Sequence, residues 1–124
     1  MTHERLAAGR TGERAAEECL VRAGYVILTR NYRCLFGEID LIALDRRTIA
    51  FVEVKARRDG EAMSPLDSVT RRQQQRIGRA AVHYLTRHRL LDRAVRFDIV
   101  GVWLDGAAPR CELVRNAFAT DEWW

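Results

Sequence analysis

A chain of 124 residues, 48% hydrophobic and 31% charged, has enough apolar material for one packed domain and too little length for two ordinary ones. No stretch approaches the roughly 18 apolar residues of a membrane span, and Met1-Thr-His-Glu-Arg5 lacks the basic segment and apolar core of a signal peptide; the expectation is a cytoplasmic protein with no membrane partner. A net charge of +4 and a pI near 9.4 permit a polyanionic partner without requiring one.

The first periodic segment runs from about Leu6 to Ala23, with Gly12, Ala16, Cys19, Leu20 and Ala23 on one helical face and Gly24 placed as a C-terminal cap. Tyr25–Arg33, Glu38–Leu44 and Ile49–Ala56 are rich in β-formers and separated by short polar or glycine-containing turns, so they read as a meander of strands. Arg57–Met63 reads as a charged loop. Ser64-Pro65 carries the signature of a helix start, and Val69, Ile77, Ala80, Ala81, Tyr84 and Leu85 give the following helix its core stripe, ending near His88. Arg96–Leu104 is a further strand, and Cys111–Val114 a short edge strand. The predicted fold class is α/β, in the order α-β-β-β-α-β, a mixed sheet flanked by helices. It forms one domain over 1–124, with loosely ordered tails at 1–8 and 119–124.

Cys19, Cys34 and Cys111 are odd in number and without CxxC spacing, which argues against a disulfide framework or a zinc site; they read as small packing residues. His3, His83 and His88 show no ligand spacing and read as surface or packing residues. Trp123 and Trp124 either fold back on the body or mark a contact with a partner.

Side chains along a strand alternate faces. Phe51, Glu53 and Lys55 therefore share one face of the third strand, and Glu38 and Asp40 share one face of the second. If the two strands pair, Asp40 lies beside Glu53. Two carboxylates packed together repel one another and lose hydration unless a cation sits between them. A divalent ion such as Mg²⁺ resolves that conflict with a few carboxylate oxygens, water and substrate phosphate. Lys55 would stand beside it, to activate water or to steady phosphate charge. The chain holds 21 basic residues, of which Lys55 is the only lysine, in a sequence that otherwise uses arginine.

The arrangement Asp40, then Glu53-Val54-Lys55, resembles the PD-(D/E)xK motif of the restriction-endonuclease-like superfamily. Gly12-Glu13, Asn31-Tyr-Arg33, Gly37-Glu-Ile-Asp-Leu-Ile42, Phe51-Val-Glu-Val-Lys55, Val69-Thr70 and Arg96-Phe-Asp98 together resemble the YraN-like family of small bacterial proteins, similar to archaeal Holliday-junction resolvases. The resemblance spans about Gly9 to Phe118. It implies metal ligation (Mg²⁺ or Mn²⁺) by Asp40, Glu53 and the main-chain carbonyl of Val54. It puts Lys55 at the catalytic lysine position. It also implies a first-helix acid at Glu13, facing the metal, and a polar residue at Gln74 for the phosphate or the metal water. The sequence departs from the family pattern at Gln73, where lysine is expected, and at Glu61-Ala-Met63, where a Phe-Gly pair is usual.

Arg72, Arg76 and Arg79 form a basic stripe on the second helix, and Arg57 and Arg58 follow Lys55; all five are candidates for sequence-neutral contacts with nucleic-acid phosphates. Each has an ordinary alternative as a solvated surface charge. Asp98 is assigned a structural role, hydrogen-bonding within the core or supporting a loop, and Glu38 surface ion pairs. The resulting expectation is a metal-dependent DNA endonuclease, selective for structure rather than sequence, on branched or single-stranded DNA. The resolvase likeness implies a homodimer. The alternatives are a nucleic-acid-binding module without catalysis, or a protein adaptor using the Trp123-Trp124 end.

Overall fold

The computed structural model describes residues 3–57, 64, 66–104 and 108–120. Its elements are α1 (His3–Arg22), β1 (Val26–Cys34), β2 (Gly37–Asp45), β3 (Thr48–Arg57), a 3₁₀ turn (Leu66–Ser68), α2 (Arg71–Arg87), β4 (Val95–Trp103) and β5 (Arg110–Phe118). The five strands form one mixed sheet in the order β1-β2-β3-β4-β5. Only β3 and β4 run parallel, joined by the crossover through α2, and the other neighbours are antiparallel.

The sheet is buried on both faces. On one, Phe51, Phe97, Ile42, Ile49 and Ile99 pack against Ile77, Ala80, Ala81, Tyr84 and Leu85 of α2. On the other, Leu41, Ala43, Ala50, Val52, Val100 and Val102 pack against Ala16 and Leu20 of α1. Alternation along β2 and β3 thus feeds two cores at once, which is why these strands read as near-continuous apolar runs.

Local signals explain the helix ends. Gly24 has φ +96, and its N–H donates to Val21 O (3.0 Å) while Tyr25 N–H donates to Leu20 O (2.9 Å), the paired bonds of a Schellman stop. Gly12 lets α1 approach β3: a Cβ there would lie 2.9 Å from the Ala56 Cβ. The expected helix start at Ser64-Pro65 needs correction. Ser64 O accepts from Asp67 and Ser68 N–H, closing only the 3₁₀ turn; Pro65 lies outside the described residues. α2 begins after Thr70, whose hydroxyl accepts from Gln73 N–H while the Gln73 side chain accepts from Thr70 N–H. This reciprocal capping box satisfies two orphan donors, more than the Ser-Pro signal could. It also gives Gln73 a structural task.

Two further corrections concern β5. It runs nine residues rather than four, because its outward polar side chains hide the strand pattern. Cys111 on β5 is disulfide-bonded to Cys19 on α1, with Cα atoms 6.6 Å apart and 92 residues between them in sequence. Sequence spacing carries no information about that juxtaposition. Cys34 stays free and half-buried. Dithiothreitol is expected to lower the unfolding free energy by about 2–4 kcal/mol through loss of this cross-link. The urea midpoint reads it, and an unchanged midpoint would show that the bridge is open in solution.

The tails at 1–2 and 121–124, with Trp123 and Trp124, lie outside the described residues, as do Arg58 and the 58–63 loop. Among the described residues no helix is long and apolar enough to cross a membrane.

Candidate active site at a strand fork

The β2–β3 ladder runs from Asp45↔Thr48 to Leu41↔Val52 and stops there. Beyond that point β2 stays paired with β1 as far as Gly37, and β3 stays paired with β4 as far as Arg57. The sheet therefore forks, and Asp40 stands at the apex. Val54 N–H, which a continued ladder would offer to Ile39, donates instead to Asp40 Oδ2 at 2.8 Å.

The fork has a visible cause. Ile39 and Leu41 are two residues apart yet lie in opposite cores, so alternation breaks across Asp40. Its partner position on β1 is Asn31, between the pairs Arg30↔Leu41 and Tyr32↔Ile39. Asn31 has φ +51. Asparagine tolerates this left-handed conformation better than most residues, and the kink turns both strands together. Simple alternation brought Asp40 to Glu53 on paper; the molecule achieves it by interrupting the strand.

The Asp40 and Glu53 carboxyls lie next to one another and interact directly. Lys55 Nζ lies 3.6 Å from Glu53 Oε1, and the two side chains are only 17% and 16% exposed. Burial, and then the charge of Asp40, push the Glu53 carboxyl up to about 8. Burial also raises Asp40, against the opposing bond from Val54 N–H. Glu13 is raised as well, by burial first and then by the charge of Asp40, while a hydrogen bond from the Asn31 side chain opposes the rise.

A divalent cation fits this donor set. Two adjoining carboxyls that ionise together only at a cost are a site that prefers a positive charge to a proton. Asp40 and Glu53 would hold it. The carbonyl of Val54, on the same strand edge as the N–H that meets Asp40, would open toward the same cleft. Among the described residues no group of three His, Cys, Asp or Glu side chains assembles into a metal site. Glu13 is thus within electrostatic reach of Asp40 and hydrogen-bonded by Asn31, outside any such group. The cluster suits two protein carboxylates with water and phosphate completing the shell, as Mg²⁺ accepts.

The other candidates separate. Gln74 Nε2 donates to Val69 O at 3.2 Å, fixing the entry to α2. Arg72, Arg76 and Arg79 are exposed on α2, and Arg76 passes beside Gly37, where β2 begins. Arg57 donates to Ala56 O at 3.1 Å, and Arg58 lies outside the described residues. Asn31 is the residue sequence reasoning did not assign to the site; a turn-forming asparagine inside a β-rich run was the signal available. Of the histidines, His83 Nδ1 bonds Tyr32 OH at 2.5 Å and His88 lies against Tyr84, both packing roles.

Proton linkage here has a definite sign. Folding raises the Glu53 pKa from 4.5 to about 8, so the folded chain keeps a proton that the unfolded chain has released. The stability this contributes is complete below pH 4.5 and is lost as the pH rises through 8. In EDTA, the melting temperature is expected to fall between pH 5 and pH 8. Added Mg²⁺ should reverse the fall at pH 8 and do little at pH 5. Melting curves that do not respond to Mg²⁺ at either pH would contradict a metal at this pair.

The molecule is, by class, a small α/β protein whose mixed sheet carries a half-buried two-carboxylate and lysine cluster at a strand fork. The model of the family described as "Uncharacterised protein family UPF0102" matches residues 12–102, and the chain belongs to that family. It is 48% identical over 118 residues to a UPF0102 protein of Desulfosudis oleivorans, covering 95% of this chain and 94% of the relative. It is 44% identical over 110 residues to one from Geobacter metallireducens, covering 89% and 90%. A Moorella thermoacetica relative is 42% identical over 120 residues, covering 95% and 100%. UPF0102 is the YraN-like family that the sequence motifs resemble.

Proposed function

We propose that this protein is a Mg²⁺- or Mn²⁺-dependent endonuclease of the restriction-endonuclease-like superfamily, acting on branched or single-stranded DNA in the cytoplasm. The observation that carries the reading is the fork itself: it brings the half-buried carboxyls of Asp40 and Glu53 together, with Val54 N–H on Asp40 at 2.8 Å and Lys55 3.6 Å from Glu53. A structural ion pair needs one acid, whereas two acids beside a lysine suit a metal-dependent phosphodiesterase. The α/β architecture, two helices with a five-stranded mixed sheet, is compatible with such a core. When bound, the metal supplies charge neutralisation at the scissile phosphate and lowers the pKa of its water. Asp40 and Glu53 hold their carboxylates toward that position. Val54 N–H fixes the orientation of Asp40, and Lys55 presents its ammonium to the attacking water or to the developing phosphate charge. The exposed arginines of α2 give affinity without base readout.

The test is incubation of the protein with synthetic junction, flap, single-stranded and duplex DNA, with Mg²⁺ or Mn²⁺, beside Asp40→Asn and Lys55→Ala. Metal-dependent cutting that both substitutions abolish is the expected result. Wild type that cuts none of the substrates would sink the enzyme reading, and cutting that survives both substitutions would point to a contaminant.

One observation favours a second reading, a nucleic-acid-binding module without turnover: two carboxylates rather than three assemble among the described residues. That reading expects Lys55→Ala to bind every DNA as wild type does while neither protein cuts. A homodimer, which two symmetric cuts in a junction would need, is tested by the mass in solution with and without junction DNA.

A further inference from the structure

At the end of the sheet opposite the fork, Asp45, Arg46, Arg47, Thr48, Arg96 and Arg115 line a cavity of about 690 Å³. Asp45 lies five residue steps along β2 from Asp40, or about 17 Å, so this cavity is distinct from the carboxylate cluster. We propose that it is a phosphate-binding pocket, built by the β2–β3 turn together with the β4 and β5 arginines.

The turn is the first argument. Asp45 pairs with Thr48, leaving Arg46 and Arg47 as a two-residue hairpin loop. Such loops favour Asn-Gly or Asp-Gly because φ must turn positive. Arg46 adopts φ +58, a conformation costing a side-chain-bearing residue about 1–2 kcal/mol. The chain thus places arginine where asparagine or glycine would be more stable. Among the described residues, neither Arg46 nor Arg47 has an ion-pair partner.

The second argument is the frame behind them. Arg96 Nη2 and Arg115 Nε converge on Asp45 Oδ2, at 2.7 and 3.4 Å. Arg96 is committed: it also donates to both oxygens of Asp98 and to Tyr25 OH. Arg115 is not. It is 47% exposed, lies over the Tyr25 ring and engages through Nε, leaving its outer nitrogens for a ligand. Asp45 is neutralised from two sides and holds the guanidinium groups apart instead of repelling an incoming anion. Four arginines against Asp45 and Asp98 leave +2, which matches a phosphate dianion or two successive diesters. Arginine forks fit phosphate oxygens in pairs.

The phosphate can come from a nucleic-acid backbone or from a free phosphorylated molecule, and one double variant tests both. Arg46→Asn with Arg47→Gly installs the preferred turn, so the fold should be kept or stabilised. Inorganic phosphate is titrated by calorimetry and a fluorescent 20-base-pair duplex by anisotropy, both in EDTA so that cutting plays no part. The expected result is binding weakened at least tenfold. Loss of duplex affinity, with or without loss of phosphate binding, assigns the pocket to a nucleic-acid backbone. Loss of phosphate binding alone assigns it to a free phosphorylated molecule. Wild type that binds neither probe saturably, or a double variant that binds both as wild type does, overturns the proposal. So does an equal loss in Arg89→Asn with Arg93→Gln, which removes the same charge elsewhere. Because the readout is binding, failure here leaves the nuclease reading standing, and the reverse holds too.

Discussion

Asp40→Asn is expected to make the metal-free protein more stable at pH 8 while cutting metal-dependent cleavage at least about 10³-fold, the scale of removing a group that stabilises transition-state charge. The two effects share one cause. Asp40 accepts from Val54 N–H and stands against Glu53, whose carboxyl is pushed up to about 8 by burial and by the Asp40 charge. An amide oxygen can still accept from Val54 N–H, and the amide nitrogen can donate to Glu53. Glu53 is then free to ionise against Lys55. Removing the repulsion should stabilise by about 1–2 kcal/mol, the worth of roughly one unit of pKa shift. The gain should vanish below pH 5, where Glu53, with its carboxyl pushed up to about 8, keeps its proton in the wild type as well. Thermal melts in EDTA at pH 5 and pH 8 read the stability, and gel assays read the cleavage. A variant less stable than wild type at pH 8 would show that the carboxylates do not repel, and the argument for a cation between them would fall.

Asp98→Ala is expected to cost about 3–5 kcal/mol, the range for stripping one partner from a buried charged network. Asp98 is fully buried. Its oxygens accept from Tyr25 OH at 2.7 Å, Arg96 Nε at 2.9 Å and Asn116 N–H at 2.9 Å. Asn116, with φ +52, sits where β5 slips register against β4 between Phe97 and Ile99. The carboxylate therefore ties α1's exit, the start of β4 and the irregularity of β5 to one point. Alanine takes away at once the acceptor of Arg96 Nε, of the Tyr25 hydroxyl hydrogen and of the Asn116 N–H. Urea unfolding measures the cost, and a change under about 1 kcal/mol would show that water replaces the carboxylate. Tyr25→Phe removes one of these bonds and should cost about 1 kcal/mol.

Much of this architecture is legible in the sequence because the strands obey simple rules. β2 and β3 are apolar on both faces, and within that pattern Asp40, Glu53 and Lys55 stand out as charges that need a reason. The features that escape notice depend on contacts between distant segments. Cys19 meets Cys111 only because β5 closes the edge beneath α1. The start of α2 is misread because Ser64-Pro65 is the stronger local signal, although the Thr70–Gln73 capping box sets the boundary. Glu13 and Gln74 fall on the expected elements, yet their recorded partners are Asn31 and Val69. Helical position fixes the face of a residue but not which neighbour its side chain reaches. The strand fork is hardest to foresee, since it arises from a left-handed residue on one strand opposite a carboxylate on the next.

That fork bears on how relatives should be compared. Asp40 serves as a backbone substitute, receiving the amide that a continued sheet would have bonded. A lineage that gave up turnover would still gain by retaining an acceptor there, so an aspartate at this position says little about whether a descendant cuts DNA. Lys55 has no such second duty among the contacts described; its recorded ion pair is with Glu53 alone. If the proposed cleavage holds, position 55 is where its loss should first leave a trace, and a homologue that keeps the aspartate but has exchanged the lysine is the natural one to assay for a scaffold without the reaction.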